Sequence, residues 1–432
     1  MQKIDNIAAV TLAKFVREGV DMARCIATLS EKQEFNVEGG EFSLFRTVFN
    51  TEMTLGAYKD HKYGTVKINS FSDEDIETGI KDCLEVAEAS VADEAYDMAP
   101  RQGEHKFREG IDKPDLDKFF KRVTELLDTI KNEYPKICVT QSIASYDSEH
   151  TEYHDTNGTR ITQVTGSYSI MVGMTAVDGE KVTSAKYAWF TTADLETPFI
   201  EQANTREEIE ETVKLLEAKP LDHKFTGTMI LKGMGLMEFV EFLNENYIGN
   251  SVIKNKTSQW YGKKGEKVAD EKLTISVSAD DPRILNNRHF TKDGFLAENV
   301  DIIKNGVLEN YTIDLYTAKK VGFEPIKNAC MSLIIEPGDT PYEDMIKDID
   351  EGIIVGSFSG GYPGVSGEFS GVAKNSFYIK DGKVVGPVSE AMINGNLGDI
   401  FNNIKAVSKE VVTNGEAILP MMAFNGVVVS GK

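Results

Sequence analysis

The stretch from Gly356 to Leu397 reads GSFSGGYPGVSGEFSGVAKNSFYIKDGKVVGPVSEAMINGNL. Its glycines are clustered, and glycine is favoured where a backbone takes positive φ or approaches another chain closely. No histidine or cysteine lies within the stretch. The segment is therefore predicted to hold a ligand's backbone without attacking it, although such glycines are also typical of tight turns between strands. The candidates for contact with the ligand are these four: Gly360, Gly361, Gly364 and Gly367.

Turn signals and short β-rich runs occur before that stretch and within it. Pairs such as Asn305-Gly306 and Asp381-Gly382 are typical of hairpin turns. Near the start of the chain, a helical pattern is followed by short strand patterns and by a helix that Ser72 can cap. The predicted class is α+β, with an N-terminal helix/antiparallel-sheet domain followed by a β-rich C-terminal domain with covering helices. The predicted boundaries are 1–95 for an N-terminal α/β domain, 96–220 for a middle α+β region and 221–432 for the C-terminal β-rich domain.

Several local signals refine this division. Residues 91–113 contain prolines, glycines and many charges, which predicts a surface linker. A helix is predicted over 115–132 from the spacing of its apolar residues. Asn157-Gly158 predicts a hairpin turn, and Thr205 with Glu208 has the spacing of a capping box at a helix start.

The composition of the chain limits which binding partners and which cellular location are expected. Among 432 residues, 69 are acidic and 47 basic, which gives a formal net charge of -22. Nucleic-acid binding requires clustered Lys and Arg, so no direct nucleic-acid partner is expected. No apolar run approaches the ~20 residues that cross a bilayer, and the first residues lack the apolar core of a signal peptide. We expect a cytoplasmic protein without a membrane partner, in which four scattered cysteines are reduced thiols.

Two histidines have the spacing of a helical zinc motif. His150 and His154 lie four residues apart, but the surrounding sequence predicts a strand. Residues four apart on a strand are ~13 Å apart, at ~3.3 Å per residue. The two histidines are therefore predicted to face solvent on a strand and not to share an ion.

Three carboxylates share one face of the helix predicted over 236–246. Glu238, Glu241 and Glu245 are three and four residues apart and could bind a hard cation. The favoured interpretation is a solvated stripe opposite the apolar face of this helix. That apolar face consists of Leu236, Phe239, Val240, Phe242 and Leu243.

A series of late motifs resembles the TldD/PmbA family, whose members were once described as modulators of DNA gyrase. The motifs are DIIKNGVL at 301–308, YTAK at 316–319, VSGEFS at 365–370, PVSE at 387–390 and INGNL at 393–397. Their order follows the C-terminal signature of the family, and the resemblance spans nearly the whole chain. It implies that the region 221–432 is peptidase-like.

The resemblance distinguishes two branches. The TldD branch has a His-Glu-x-x-x-His helix and a later cysteine, whereas the PmbA (TldE) branch lacks them. In this chain Glu241 and Asn246 stand where the histidines are expected, and Asn414 stands at the cysteine position. Glu241 and the amide of Asn414 do not reproduce the zinc chemistry of two imidazoles and a thiolate at neutral pH. The resemblance therefore implies a PmbA/TldE-type subunit with no catalytic residue, no metal and no cofactor of its own.

The expected function is that of a non-catalytic subunit of a TldD/TldE-type zinc metalloprotease. Its expected partners are a TldD-type zinc protease subunit in a heterodimer, or a second copy in a homodimer, together with an unfolded peptide substrate. Strand addition through main-chain hydrogen bonds would select unfolded chains whatever their sequence. The alternatives are a self-sufficient metallopeptidase with a non-standard metal site, at the acidic helix or across a homodimer, and a homodimeric peptide-binding protein.

Overall fold

The computed structural model describes residues 6–285, 287–389 and 391–431. Glu390 of the PVSE motif and the first five residues of the N-terminal segment lie outside that part. The first half of the chain contains α1 (Ile7–Arg17), β1 (Met22–Glu38), β2 (Glu41–Lys59), β3 (Lys62–Ile68), α2 (Asp73–Ala89), β4 (Glu104–Gly110), α3 (Leu116–Glu133), β5 (Ile137–Asp155), β6 (Arg160–Asp178), β7 (Lys181–Val182), β8 (Lys186–Thr192) and α4 (Thr205–Lys214).

The second half is richer in short strands. It contains β9 (Lys219–Pro220), β10 (Lys224–Leu231), α5 (Gly233–Leu243), α6 (Asn250–Lys254), β11 (Ile275–Val277), β12 (Val300–Lys304), β13 (Val307–Leu308), α7 (Leu315–Val321), β14 (Leu333–Ile335), α8 (Tyr342–Lys347), β15 (Glu351–Val355), β16 (Ser357–Ser359), β17 (Glu368–Lys374), β18 (Ser376–Lys380), β19 (Lys383–Ser389), β20 (Met392–Asn396), α9 (Leu397–Asn402), β21 (Ile404–Thr413) and β22 (Ala417–Ser430). The α+β prediction is confirmed.

The first sheet has the order β3-β2-β1-β5-β6-β4, with β7 and β8 also paired to β6. Strand β1 pairs antiparallel with β2 on one side and with β5 on the other. One sheet therefore joins residues 22–68 to residues 137–192, on either side of the predicted boundary at residue 95. The division into three domains stays a prediction.

Helices bury the apolar residues of this sheet. Phe15 of α1 and Ile76 of α2 lie in one cluster with Leu55 of β2, while Phe119 of α3 packs in a second cluster with Tyr168 of β6. This burial follows from the helical spacing of the apolar residues against the alternation of the strands. No helix among the described residues is long and apolar enough to span a membrane.

Some of the local predictions are confirmed. The Ser72 hydroxyl accepts a hydrogen bond from the N–H of Asp75 at 3.1 Å, as a helix cap does. Helix α3 occupies the predicted range to within one residue at each end. Gly158 takes a φ of 92° in the turn between β5 and β6, as the hairpin signal requires.

Two local predictions are wrong. The predicted linker contains β4, which pairs parallel with β6 over its full length. The predicted capping box does not form, because Thr205 is already the first helical residue and its hydroxyl donates to the carbonyl of Gln202. The side chain of Glu208 instead accepts a hydrogen bond from Asn204 at 2.7 Å.

The second sheet is organised around β22. The main strand order is β13-β12-β11-β14-β22-β10-β15-β18-β19-β9, and β20 and β21 also pair with β22. Leu236 and Phe239 of α5 and Phe401 of α9 pack in one core cluster with Phe424 of β22. Helix α5, which carries the acidic stripe, is therefore fixed by its apolar face against the centre of this sheet.

A buried ion pair connects β1 of the first sheet to the segment between β11 and β12. Arg24 of β1 contacts the carboxylate of Asp293 at 3.2 Å and donates to the carbonyl of Lys292 at 2.7 Å. A second guanidinium nitrogen donates to the hydroxyl of Tyr63 at 2.8 Å. Arg24 is only 8% exposed, so removing either charge would leave the other unpaired in the interior.

Candidate functional site

The acidic stripe divides into exposed and half-buried members. Glu241 and Glu245 are exposed, as a solvated stripe requires, and all five residues of the apolar face are buried. Glu238 is half-buried, and its carboxylate accepts a hydrogen bond from the N–H of Phe358 at 2.9 Å. The prediction of a fully solvated stripe is therefore wrong for Glu238.

The Glu238 carboxylate lies against β16. Burial raises the pKa of Glu238, the bond from the Phe358 N–H opposes that rise, and the nearby charge of Glu241 adds to it. Within the described ranges, β16 pairs with β17 and with no other strand. The Glu238 carboxylate thus covers an outward donor on the free side of β16.

The side-chain amides of Asn246 and Asn414, which stand at the expected ligand positions, form hydrogen bonds with main-chain groups of nearby residues. Asn246 is buried in a π-helical turn (Asn244–Ile248) after α5, and its side-chain nitrogen donates to the carbonyl of Phe242 at 2.9 Å. The side-chain oxygen of Asn414 accepts hydrogen bonds from the N–H groups of Glu416 at 3.0 Å and Ala417 at 2.9 Å. Asn414 therefore holds the turn between β21 and β22.

These residues do not fit a zinc ion. Structural and catalytic zinc sites use three or four Cys, His or carboxylate ligands at tetrahedral reach. In the described ranges, no group of three or more His, Cys, Asp or Glu side chains is placed to hold a metal. His150 and His154 lie on β5, as predicted, but His154 is buried and not solvent-facing.

The four candidate glycines fall into two pairs. Gly361 and Gly367 take positive φ, and a Cβ at these positions would collide with the Ser370 carbonyl oxygen and the Tyr247 hydroxyl, respectively. Close approach within the chain therefore accounts for both. Gly360 also takes a positive φ of 92°, but a Cβ at Gly360 or Gly364 would meet nothing within 4 Å. Peptide contact by the four glycines stays a prediction.

A cavity of about 930 Å³ lies between the two sheets. Its walls come from β6 and β8 of the first sheet, from β16 and β17 of the second sheet and from helices α4 and α5. The residues that define it include Met171, Tyr187, Trp189, Met234, Glu238 and Phe358. Gly356 also lines this cavity, whereas the four candidate glycines lie outside its lining.

Two buried lysines form part of the cavity wall. Lys186 contacts Glu208 at 2.7 Å and Glu211 at 2.6 Å, while Lys232 contacts Glu207 at 2.8 Å and also Glu211. Burial disfavours the charged form of Lys232, but the carboxylates of Glu211 and Glu207 outweigh it and raise the pKa. Burial likewise opposes the charged form of Glu211, yet the two lysines lower its pKa. This wall therefore stays charged and fixed.

Sequence reasoning missed this cavity. Tyr187, Lys232 and Phe358 are far apart in the chain, and no local motif connects them. One sequence signal for this wall was available. Lys232 ends the apolar run Met229–Lys232, and a lysine that is buried beside such a run needs a carboxylate partner.

Comparison with known proteins places the C-terminal half in a family. Residues 226–431 match the family described as PmbA/TldA metallopeptidase C-terminal domain. The chain is also 29% identical over 170 residues to the metalloprotease PmbA of Escherichia coli O157:H7. Residues 226–431 thus carry the C-terminal domain of the TldD/PmbA family. This confirms the resemblance, for which the motifs between 301 and 397 were the main support.

The curated relatives match this chain over part of their length. A metalloprotease of Methanothermobacter thermautotrophicus is 29% identical over 224 residues, which is 46% of each chain. The match to the Escherichia coli protein covers 38% of each chain. The chain thus spans less than half the length of these two relatives.

Solved structures match the fold over nearly the whole chain. TldE from Thermococcus kodakarensis has a TM-score of 0.82 at 20% identity, and the match covers 98% of this chain and 100% of that one. A candidate modulator of DNA gyrase from Bacteroides thetaiotaomicron has a TM-score of 0.85 at 23% identity, with both chains fully covered. At these identities the similarity shows the fold alone.

Proposed function

We propose that this chain is a PmbA/TldE-like, non-catalytic subunit of a TldD/TldE-type zinc metalloprotease, which binds unfolded peptides and helps to degrade or mature them. One observation carries the proposal. Asn246 and Asn414 stand where the family resemblance places zinc ligands, and their side chains are instead hydrogen-bonded to main-chain groups of nearby residues. Relatives named as metalloproteases support peptide hydrolysis as the reaction of the assembly. Free cysteines at 25, 83, 138 and 330 support a cytoplasmic location.

The test compares zinc content and peptide cleavage. Zinc in the purified chain is measured by elemental analysis, and cleavage is measured for the chain alone, for a TldD-type subunit alone and for their mixture. We expect the chain alone to be inert and the mixture to cleave faster than the TldD-type subunit. Near-stoichiometric zinc together with cleavage by the chain alone contradicts the proposal.

That contrary outcome would favour the self-sufficient metallopeptidase. Its metal site would then lie on the acidic helix, and Glu241→Gln would lower both zinc content and cleavage. For the proposed subunit, Glu241→Gln changes neither the stability nor the activity of the mixture, because Glu241 is exposed.

The outer edge of β2 supports assembly with a partner. Strand β3 pairs with β2 only from Met53 onward, and residues 41–50 are all exposed. This unpaired part presents large apolar side chains on both faces of the strand, among them Phe45 at 59% and Phe49 at 55% exposure. An exposed apolar edge strand is a site for association with another chain. We assign it to the TldD-type subunit.

This assignment is tested by light scattering after size-exclusion chromatography. Phe49→Lys is expected to reduce the fraction of heterodimer in an equimolar mixture with a TldD-type subunit. Val91→Lys is the matched control, since Val91 is an exposed apolar residue that lies beside the β2–β3 turn, at the other end of β2 from residues 41–50. If the chain alone forms a homodimer that Phe49→Lys dissociates, the edge of β2 binds a second copy of this chain and not the TldD-type subunit. An unchanged heterodimer would contradict the role of β2.

A further inference from the structure

Two aromatic side chains lie side by side where β8 borders the cavity. Within the described ranges β8 pairs with β6 and with no other strand. Tyr187 and Trp189 are two residues apart, so their side chains project from one face of β8, about 6.6 Å apart at ~3.3 Å per residue. The Tyr187 ring lies against Gly173, the facing residue of β6. The N–H of Thr191 then donates to the carbonyl of Asn414 at 2.8 Å, which joins the end of β8 to the β21–β22 turn.

Helix α5 brings a carboxylate to these rings. The indole Nε1 of Trp189 lies 3.4 Å from the sulfur of Met234, and Met234 and Glu238 both line the cavity. Residues four apart on a helix are neighbours on one face, with Cβ atoms about 5–6 Å apart. The Glu238 carboxylate therefore lies about one helical turn from the indole contact. Because the indole N–H lies in the plane of the ring, that contact uses the ring edge and not a ring face.

The Glu238 carboxylate has no counter-charge. It accepts the N–H of Phe358 at 2.9 Å, but no cationic side chain among the described residues forms an ion pair with it. Burial raises the pKa of Glu238, and the hydrogen bond offsets that rise only in part. The buried Lys186 and Lys232 of the same cavity wall are instead each paired with two carboxylates. A half-buried anion in this state is stabilised by a ligand that supplies the missing cation.

We propose that the cavity binds an organic ammonium group between the Glu238 carboxylate and the rings of Tyr187 and Trp189. The face of an aromatic ring attracts a cation, and tryptophan does so most strongly. A hard metal ion is a poorer occupant because it needs several oxygen ligands, and Glu208, the other carboxylate in the described lining, is already paired with Lys186. The inference goes beyond the proposed function, because it holds for a free amine as well as for an ammonium group carried by a peptide.

The inference is tested by calorimetric titration of the full chain at constant ionic strength. The probes are Nα-acetyl-lysine methylamide, its neutral norleucine analogue and tetramethylammonium. We expect the lysine probe to bind at least about tenfold more tightly than the norleucine probe, since the two differ in the ammonium group. Displacement of the lysine probe by tetramethylammonium would show that a free cation is a sufficient ligand. Saturable binding of the lysine probe without such displacement would assign the site to the side chain of a peptide.

Substitutions locate the site within the cavity. Glu238→Gln keeps an acceptor for the Phe358 N–H and removes the charge, so the two amino-acid probes are expected to bind within about twofold of each other. Trp189→Leu is expected to weaken binding of the lysine probe by about fivefold or more. Glu241→Gln is the matched control, because it removes the same charge from the same helix outside the cavity lining. It is expected to change the Kd by less than about twofold.

Three results would overturn the inference. The first is equal binding of the lysine and norleucine probes to the wild-type chain. The second is an equal loss of selectivity in Glu238→Gln and Glu241→Gln. The third concerns Lys374, which is exposed in the cavity lining. If only the Lys374→Gln variant distinguishes the probes, Lys374 is the counter-ion of Glu238 and no external ligand is needed. These titrations involve no TldD-type subunit and no cleavage, so the ammonium site and the subunit role are tested separately.

Discussion

His154 should make the folded state sensitive to mild acid. Its side chain is 7% exposed, and its Nδ1 atom has no hydrogen-bond partner among the described residues. The pKa of His154 is lowered from 6.5 to about 4, chiefly by burial and also by the positive charge of Arg160, while Glu104 opposes the shift. The informative substitution is His154→Leu, which keeps an apolar side chain in the same place and removes the titrating group.

The sign and size of the effect follow from this shift. Above pH 6.5 the imidazole is neutral in both states and contributes nothing. As the pH falls from 6.5 to about 4, the unfolded chain binds a proton that the folded chain does not, so the free energy of unfolding decreases. The interval between 6.5 and about 4 corresponds to roughly 3 kcal/mol, at about 1.36 kcal/mol per pH unit. Asp155, whose pKa burial raises, is common to wild type and variant.

The assay is urea denaturation at a series of pH values from 7.5 to 4. We expect the stability difference between His154→Leu and wild type to shift in favour of the variant by roughly 3 kcal/mol across this range. His223→Gln is the control of opposite sign, because Glu351 and Asp222 raise the pKa of His223. The stabilisation from His223 is present at low pH and lost as the pH rises through its folded pKa. Parallel curves for wild type and His154→Leu between pH 7 and 4 would refute the reasoning.

Two further predictions concern stability measured by urea denaturation at neutral pH. Arg24→Ala is expected to lower the free energy of unfolding by about 3–5 kcal/mol, because it leaves Asp293 buried without its counter-charge; a loss below about 1 kcal/mol would contradict this account. Gly361→Ala is expected to cost about 2 kcal/mol or more, since its Cβ would collide with the Ser370 carbonyl at positive φ. Gly364→Ala is the matched control and should change stability by less than about 0.5 kcal/mol, because its Cβ would meet open space; equal losses in the two glycine variants would contradict the steric argument.

Local sequence signals predicted the features that depend on interactions within a few residues of the chain. The hydroxyl of Ser72 caps α2, and Gly158 supplies the positive φ of the β5–β6 turn. Strand β4 could not be predicted in this way, because its polar sequence EHKFREG forms a strand only by pairing with β6, some fifty residues later. The segment predicted to be a linker therefore contains a strand, because pairing with the distant β6 stabilises it.

The candidate site shows the same limit. The residues at the expected ligand positions could be named from the family motifs, and the buried apolar face of α5 from its periodicity. The half-burial of Glu238 could not be predicted, because its partner is the main-chain N–H of Phe358, which carries no side-chain signature. The contact between Trp189 and Met234 likewise depends on which strands and helices are neighbours, and that is a property of the whole fold.

The hydrogen bond between Thr191 and Asn414 has a consequence for synthesis on the ribosome. Asn414 emerges more than two hundred residues after Thr191, which is a delay on the order of 10 to 45 seconds at about 5–20 residues per second. Throughout that delay the nascent first sheet has β8 as an unprotected border, and Arg24 awaits Asp293 for part of it. The β21–β22 hairpin, which leaves the ribosome last, therefore covers the edge of β8 in the first sheet. If translation stops early, that edge stays exposed and can pair with strands of other chains.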